Sequence, residues 1–442
     1  MHYTNFTGIN FANSNKKKKL GELPDKEFIN RRSVLTDLFE ISHVKTIFHI
    51  FVAILIVFSL NTIVYDIINE GRLNLDFQLM HWALGKFPKV MALWVCMQLS
   101  TLIVVYPCFY YWATTRRPGK VSWYDWIAFA LFVGYQVGFL VLPLYYVMEH
   151  ALPPASACII TTEQFLHLKV KIMTFIFTDD DTSTDDSLVP DFSKYLYFLF
   201  CPSLIYRDSY PRTPIIRWNY VVSNFAQVTA CLFYTYYIFE RFCVPVFRHF
   251  NEEHVTPKAL LLSVFGSMLP GTMVLMIGFF AILHSWLNAF AEMLRFGDRM
   301  FYKLLGPKNR VGAMTMVFLI SAIFHEYILI VSFGFFYPVL FVMFMGAGFG
   351  FIFLKGVSRS WNVFLWVALF IGCGLLMCLY SMEWYARQNC PVNSPHCRPQ
   401  FMSYPHHELE PHCRPELISH PHHEHEHHCQ SDGLKKHQYI NI

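Results

Sequence analysis

Long apolar stretches, each bounded by polar or basic residues, recur along this chain. They fall at roughly Thr46–Tyr65, Val90–Trp112, Trp126–Met148, Trp218–Phe239, Ala259–Ser285, Val311–Phe333, Phe336–Leu354 and Trp361–Tyr380. A helix of about 20 apolar residues crosses the hydrocarbon core of a bilayer, so each stretch predicts a spanning helix. A ninth stretch, Leu152–Phe177, is apolar but carries Glu163, His167, Lys169 and Lys171. It is expected to be a further intramembrane or re-entrant helix whose charges face protein or water, because lipid cannot satisfy them. The pattern predicts an all-α polytopic membrane protein with about eight to nine transmembrane helices.

The basic residues between these stretches set an orientation. Lys16 to Lys19, Arg31 and Arg32 precede the first. Positive charge favours the cytosolic side, which places the N-terminal segment, 1–45, in the cytosol. Nine crossings then put the loops holding Arg116/Arg117/Lys120, Arg207/Arg212/Arg217, Arg295/Arg299/Lys303/Lys308/Arg310 and Lys355/Arg359 on that side too. Eight crossings would put the later basic loops on the wrong side. The tail beyond 390 is expected in the lumen. No apolar core of signal-peptide type precedes the first span, so no cleaved leader is expected.

Composition agrees with this reading. The chain is 54% hydrophobic and 15% charged, where soluble domains carry about 25% charged residues. The net charge of +4 is spread along the chain and forms no block of the kind that binds nucleic acid. Several of the twelve cysteines lie in apolar runs, where a free thiol packs as a small hydrophobe. Cys390, Cys397, Cys413 and Cys429 cluster in the tail. There Pro395-His396-Cys397-Arg398-Pro399 recurs as Pro411-His412-Cys413-Arg414-Pro415. Imidazole and thiolate together suit zinc or copper, but the spacing matches no closed tetrahedral site. Residues 391–442 are expected to be a disordered, compositionally biased tail.

One place on the chain carries candidate chemistry. His325 and Glu326 sit side by side inside an apolar run, Phe318 to Leu329. Ionisable groups within a span are costly and mark functional sites. No second histidine follows at i+4, so the HExxH zinc pattern is absent and no metal is expected here. A lone histidine held neutral by apolar surroundings can serve as a general base. On a helix it shares a face with Ser321. Adjacent residues diverge by about 100°, so Glu326 is expected to pair with a group on another helix.

Ser321-Ala322-Ile323-Phe324-His325-Glu326-Tyr327 resembles the histidine motif of the membrane-bound O-acyltransferases. Leu204 to Arg212 (Leu-Ile-Tyr-Arg-Asp-Ser-Tyr-Pro-Arg), Phe290 to Tyr302, Phe335-Phe336-Tyr337-Pro338 and Glu383 to Arg387 narrow the likeness. Together these segments are similar to the sterol O-acyltransferase (acyl-CoA:cholesterol acyltransferase) branch, over most of 31–390. The resemblance implies helices enclosing an intramembrane chamber in the endoplasmic reticulum membrane. It implies transfer of a fatty acyl group from acyl-CoA to the 3-hydroxyl of cholesterol or another sterol, with His325 as catalytic base. It also implies a homo-oligomer. Acyl-CoA enters as co-substrate, with no further cofactor. Tyr206, Arg207, Arg295, Arg299, Phe301, Tyr302 and Ser321 become candidates to line the acyl-CoA path or the substrate chamber.

The chain departs from that family at one point. Phe301-Tyr302-Lys303 runs straight into Leu304-Leu305-Gly306-Pro307-Lys308. The family's Asp-Trp-Trp-Asn segment is absent, and so is the asparagine that partners the histidine. The flanks keep the family pattern, so residues 46–390 read as an acyltransferase domain with an internal deletion after Lys303. The alternative function is a catalytically impaired relative that binds sterol or acyl-CoA or associates with a full-length enzyme. A transporter would use intramembrane His and Glu as well, but no inverted repeat is visible.

Overall fold

Described in this computed structural model are residues 28–72, 77–115, 122–167, 191–203, 206–248, 250, 256–299, 310–353 and 359–389. The tail, Lys303 with its suspected deletion, and the candidates Phe301 and Tyr302 lie outside them. The described residues are almost wholly helical, with two isolated β-bridges and no strand.

The helices are α1 (Val34–Leu38), α2 (Ser42–Glu70), α3 (Gln78–Ala83), α4 (Phe87–Ser100), α5 (Tyr106–Thr115), α6 (Trp123–Glu149), α7 (Pro154–Leu166), α8 (Phe192–Phe200) and α9 (Trp218–Ile238). Then follow α10 (Val244–Phe247), α11 (Pro257–Phe279), α12 (Leu287–Met293), α13 (Arg310–Phe333), α14 (Val339–Phe353) and α15 (Arg359–Gln388). Three π-helical segments, Thr101–Val105, Phe239–Cys243 and Phe280–Trp286, join α4 to α5, α9 to α10 and α11 to α12 into continuous rods. Among the described residues six helical stretches are long and apolar enough to cross a membrane: Ser42–Asn69, Leu79–Thr115, Trp123–Glu149, Pro257–Met293, Met314–Phe333 and Trp361–Gln388. The predicted spans on α9 and α14 are helical but fall outside this set. α9 is diluted by Asn219, Ser223, Asn224, Gln227 and Thr229, and α14 is short. α7 covers the first half of the ambiguous ninth stretch.

The helices extend past the apolar windows because their ends are capped by polar groups. Ser122 and Asp125 form a capping box at the start of α6, satisfying N–H groups that the helix itself leaves open. Thr256 accepts from the Ala259 N–H at the start of α11. Gly71, with φ of 69°, ends α2 in the left-handed conformation that glycine adopts without strain.

Small residues set the closest packing. A Cβ on Gly271 would meet the Cys373 carbonyl oxygen at 2.7 Å, and one on Gly374 would meet the Val264 carbonyl oxygen at 2.8 Å. Missing side chains therefore let α11 and α15 touch backbone to backbone. In lipid, helix association relies on such contact, because burying apolar surface gains little there.

Buried polar pairs tie the remaining helices. Asp66 of α2 is fully buried and accepts from both Arg241 amino groups, at 2.8 and 3.3 Å. Glu163 is buried and accepts from Trp94 Nε1 at 3.0 Å and Gln98 Nε2 at 2.6 Å. His167, also buried, lies 3.1 Å from the Thr101 hydroxyl and stacks on Phe139. Both face protein, as their charge requires. Lys169 and Lys171 lie outside the described residues.

Main-chain bonds place three basic segments together at one end of the bundle. Arg31 N–H donates to Gly297 O at 2.9 Å and Arg299 N–H to Arg31 O at 3.2 Å. Thr213 N–H donates to Arg295 O at 2.8 Å, and Gly297 N–H to Pro211 O at 2.8 Å. The N-terminal segment, the loop before α9 and the loop after α12 thus share one side, as the charge pattern predicts.

Candidate active site

His325 stands two-thirds of the way along α13. Three consecutive residues there point in three directions, as a turn of about 100° per residue requires. Glu326 is buried. It accepts from the Tyr380 hydroxyl of α15 at 3.1 Å and from the Phe341 N–H of α14 at 3.1 Å, so it pairs with other helices as expected. Tyr327 turns to α7 and donates to Gln164 Oε1 at 2.7 Å. His325 points away from both, and its side chain is exposed rather than packed within the bundle.

Met316, Val317, Ile320 and Ile323 of the same helix are exposed as well. At about 100° per residue His325 lies roughly 140–200° around from Met316, Ile320 and Ile323 and about 80° from Val317. Its ring stacks on Phe344 of α14 with centroids 5.6 Å apart and planes inclined by 21°.

The tautomer of His325 follows from its hydrogen bond. Nδ1 lies 2.7 Å from the Ser321 carbonyl oxygen and 3.3 Å from the Ser321 hydroxyl. A carbonyl oxygen only accepts, so Nδ1 carries the proton in the neutral ring. Nε2 then holds the free lone pair, and no described residue hydrogen-bonds to it. A base oriented by a backbone acceptor, with its other nitrogen open, can take a proton from a hydroxyl brought against it. Ser321 is thereby assigned to holding the ring.

The remaining candidates gather at the basic end. Glu292 is fully buried and accepts four hydrogen bonds. The Arg217 N–H and Nε reach Oε1, each at 2.9 Å, and Arg217 Nη2 reaches Oε2 at 2.9 Å. Arg299, also buried, closes the set through its own Nη2. Both guanidinium groups lie over the Tyr220 ring, at 4.8 and 5.7 Å. The Glu292 hydrogen bonds raise the Arg217 pKa above its ordinary value, against desolvation.

Arg295 adopts φ of 55° and donates from Nε to Thr213 O at 2.7 Å. Tyr206 is buried and donates to Asp208 Oδ1 at 2.8 Å. Burial, with that hydrogen bond second, pushes its phenol well up, and burial does the same to Tyr210. Arg207 is exposed, its guanidinium 5.3 Å over the Phe28 ring. The structure thus brings Arg295 and Arg299 into one framework with Arg217 and Glu292. His325 makes no hydrogen bond or ring contact with any of these among the described residues.

Sequence reasoning missed Glu292, Gln164 and Asp66. The signal was present for each: a carboxylate or amide in an apolar helix must find a partner in protein. The identity of the partner depends on which helices meet, which no local pattern states.

The described residues thus form an all-helical bundle with several helices long and apolar enough to cross a membrane. The chain belongs to the membrane-bound O-acyltransferase family, whose family model matches residues 77–305. Within the family the likeness is to sterol-specific members. Sterol O-acyltransferase 1 of Mus musculus is 45% identical over 416 residues, which take in 84% of this chain and 77% of that protein. Sterol O-acyltransferase 1 of Chlorocebus aethiops is 44% identical over 430 residues, 87% of this chain and 78% of the relative. Sterol O-acyltransferase 2 of Homo sapiens is 42% identical over 408 residues, 83% and 77% respectively. In the first alignment, 84% of a 442-residue chain is fewer than the 416 residues aligned. The alignment therefore bridges residues of the relative that have no counterpart here.

Proposed function

We propose that this chain esterifies sterols in the endoplasmic reticulum membrane, transferring a fatty acyl group from acyl-CoA to the sterol 3-hydroxyl. The observation that carries the reading is the open Nε2 of His325, held in its basic tautomer on a membrane helix by the Ser321 carbonyl. The names of the relatives supply the acceptor class.

Nε2 takes the proton of the sterol hydroxyl as its oxygen attacks the thioester carbonyl carbon. The C–S bond of the resulting tetrahedral species breaks. The imidazolium returns its proton to the departing CoA sulfur, leaving steryl ester, CoA-SH and neutral His325. Apolar surroundings that exclude water from the thioester are expected in this reading. Arg207, exposed and, among the described residues, without a carboxylate partner like that of Arg217 and Arg299, is a cation available to the CoA phosphates in this reading. The other two arginines hold the shape of that end.

This reading includes an internal deletion after Lys303, close to the end of the family match at residue 305. Loss of one donor to a developing oxyanion costs about 10²–10³ in rate. Turnover is therefore expected well below that of a relative containing Asp-Trp-Trp-Asn.

The test is ester formation from labelled oleoyl-CoA and cholesterol by the full chain in lipid nanodiscs, beside His325→Ala. Ester formed by the parent and lost in the variant is expected. Sterol binding without turnover in the parent would instead support the impaired, ligand-binding relative. Equal turnover in parent and variant would remove His325 from the mechanism.

A further inference from the structure

Helix α7 carries a glutamine on its buried face. Gln164 is buried and has every polar atom engaged. Its Nε2 donates to the carbonyl oxygens of Phe139, at 3.2 Å, and Leu140, at 2.9 Å. Its Oε1 accepts from the Tyr327 hydroxyl at 2.7 Å.

The two carbonyls explain why an amide is needed there. Pro143 lies within α6 and has no N–H, so the carbonyl four residues earlier, that of Phe139, loses its helical partner. In a membrane no water replaces that partner. Gln164 supplies the missing donor and, with its other end, takes hold of α13.

The grip lies behind the histidine. Tyr327 is two residues beyond His325, about 200° around the helix, so a bond at Tyr327 to α7 directs His325 away from α7. Phe165 adds an edge contact to Phe324, 4.2 Å between centroids. On the next face Glu326 is bonded to α14 and α15. The rotation of α13 about its own axis is thus fixed by the side chains that follow His325. The Ser321 carbonyl, which orients the ring, turns with the same helix.

We infer that Gln164 and Tyr327 are positioning residues for acyl transfer: their hydrogen bond sets the rotation of α13 that aims His325 Nε2 at its substrate. The inference rests on His325 being the base. Neither residue hydrogen-bonds to or stacks on His325 in the structure. Their loss is expected to act on the chemical step.

The test uses Tyr327→Phe, which removes one oxygen and keeps the ring, together with Gln164→Met and the double variant. Each is compared in nanodiscs with the parent and with His325→Ala. Each single change is expected to lower kcat between about tenfold and a hundredfold, the scale of a small misplacement of a catalytic group. In Tyr327→Phe, KM for acyl-CoA and the melting temperature should stay near the parent's, whereas Gln164→Met, which also strips the Phe139 carbonyl of its donor, should melt lower. The double variant should fall no further than the worse single one, because both act through one bond.

Carbethoxylation of His325, followed by mass spectrometry, reads the same positioning without turnover, and its rate should fall several-fold in Tyr327→Phe. A Tyr327→Phe protein with parental kcat and parental His325 reactivity overturns the inference. So do losses that multiply in the double variant, or that simply track melting temperature. If Gln164→Met does not accumulate, Tyr327→Phe alone decides. An active His325→Ala protein would sink the general-base reading itself, a result distinct from all of these.

Discussion

Nδ1 of His325 and the main-chain oxygen of Ser321, one helical turn back, are 2.7 Å apart. The orienting group is backbone, so no substitution at 321 can delete it. This separates two properties of the site that are usually lost together, the direction of the ring and its basicity.

His325→Asn keeps a donor near the Nδ1 position and removes the base. Ester formation is expected to fall at least about a hundredfold, the lower end of what a positioned base contributes. Ser321→Ala removes only the weaker hydroxyl contact, worth about 1 kcal/mol, and is expected to cost less than about tenfold. Initial rates of steryl ester formation check both. An Asn variant as active as Ser321→Ala would mean that orientation, not proton transfer, is the contribution of residue 325.

Asp66→Ala leaves Arg241 beside an empty buried site. Removing one member of a buried pair costs about 3–5 kcal/mol. The variant should melt well below the parent and accumulate less, as read by fluorescence-detected gel filtration over a temperature series. Asp66→Leu combined with Arg241→Met should recover most of that loss. A single variant with parental melting temperature would show that the pair does not hold α2.

Gly297→Ala tests the N-terminal strap. Its Cβ would fall 1.8 Å from Asn30 Oδ1 and 2.9 Å from the Pro211 carbonyl oxygen. The Asn30 side chain can swing away, but the Pro211 backbone cannot without breaking the Gly297 N–H bond. Trypsin should therefore cut faster after Arg31 and Arg32 in the variant, and Asn30→Ala added to it should not restore protection. Unchanged cleavage would place the strap's stability elsewhere.

Gly271→Ala pushes a methyl group against the Cys373 backbone. Overpacking of this kind costs about 1–3 kcal/mol, and a lower melting temperature without change in the inclination of kcat with pH is expected. A Gly271→Ala protein that melts with the parent would mean that α11 and α15 have room to separate.

How far the sequence speaks can be judged from α13. Its apolar run predicts the helix at Val311–Phe333, and Arg310–Phe333 is what forms. The placing of His325 and Ser321 on one face follows from the 3.6-residue turn alone, and so does the divergence of Glu326. What could not be read is Gln164 as the partner of Tyr327, since 163 residues of chain separate them and the meeting depends on a proline in a third helix. The π-helical segments were equally hidden. Phe280–Trp286 is as apolar and helix-compatible as its flanks, and its widened turn comes from packing rather than from propensity. At the basic end, charge grouped the segments of Arg31, Arg212 and Arg295, which main-chain bonds do bring together, while the bond of Arg299 to Glu292 could not be read from local pattern.

The order of synthesis gives the clasp between α11 and α15 a further meaning. α15 is the last described helix to leave the ribosome, yet Gly374 locks it to α11 and Tyr380 supplies the hydroxyl that receives Glu326. Until Tyr380 is in place, the carboxylate beside the histidine lacks that donor and keeps only the Phe341 N–H. The clasp that closes the bundle and the bond that fixes the residue after His325 are therefore made by one and the same final helix.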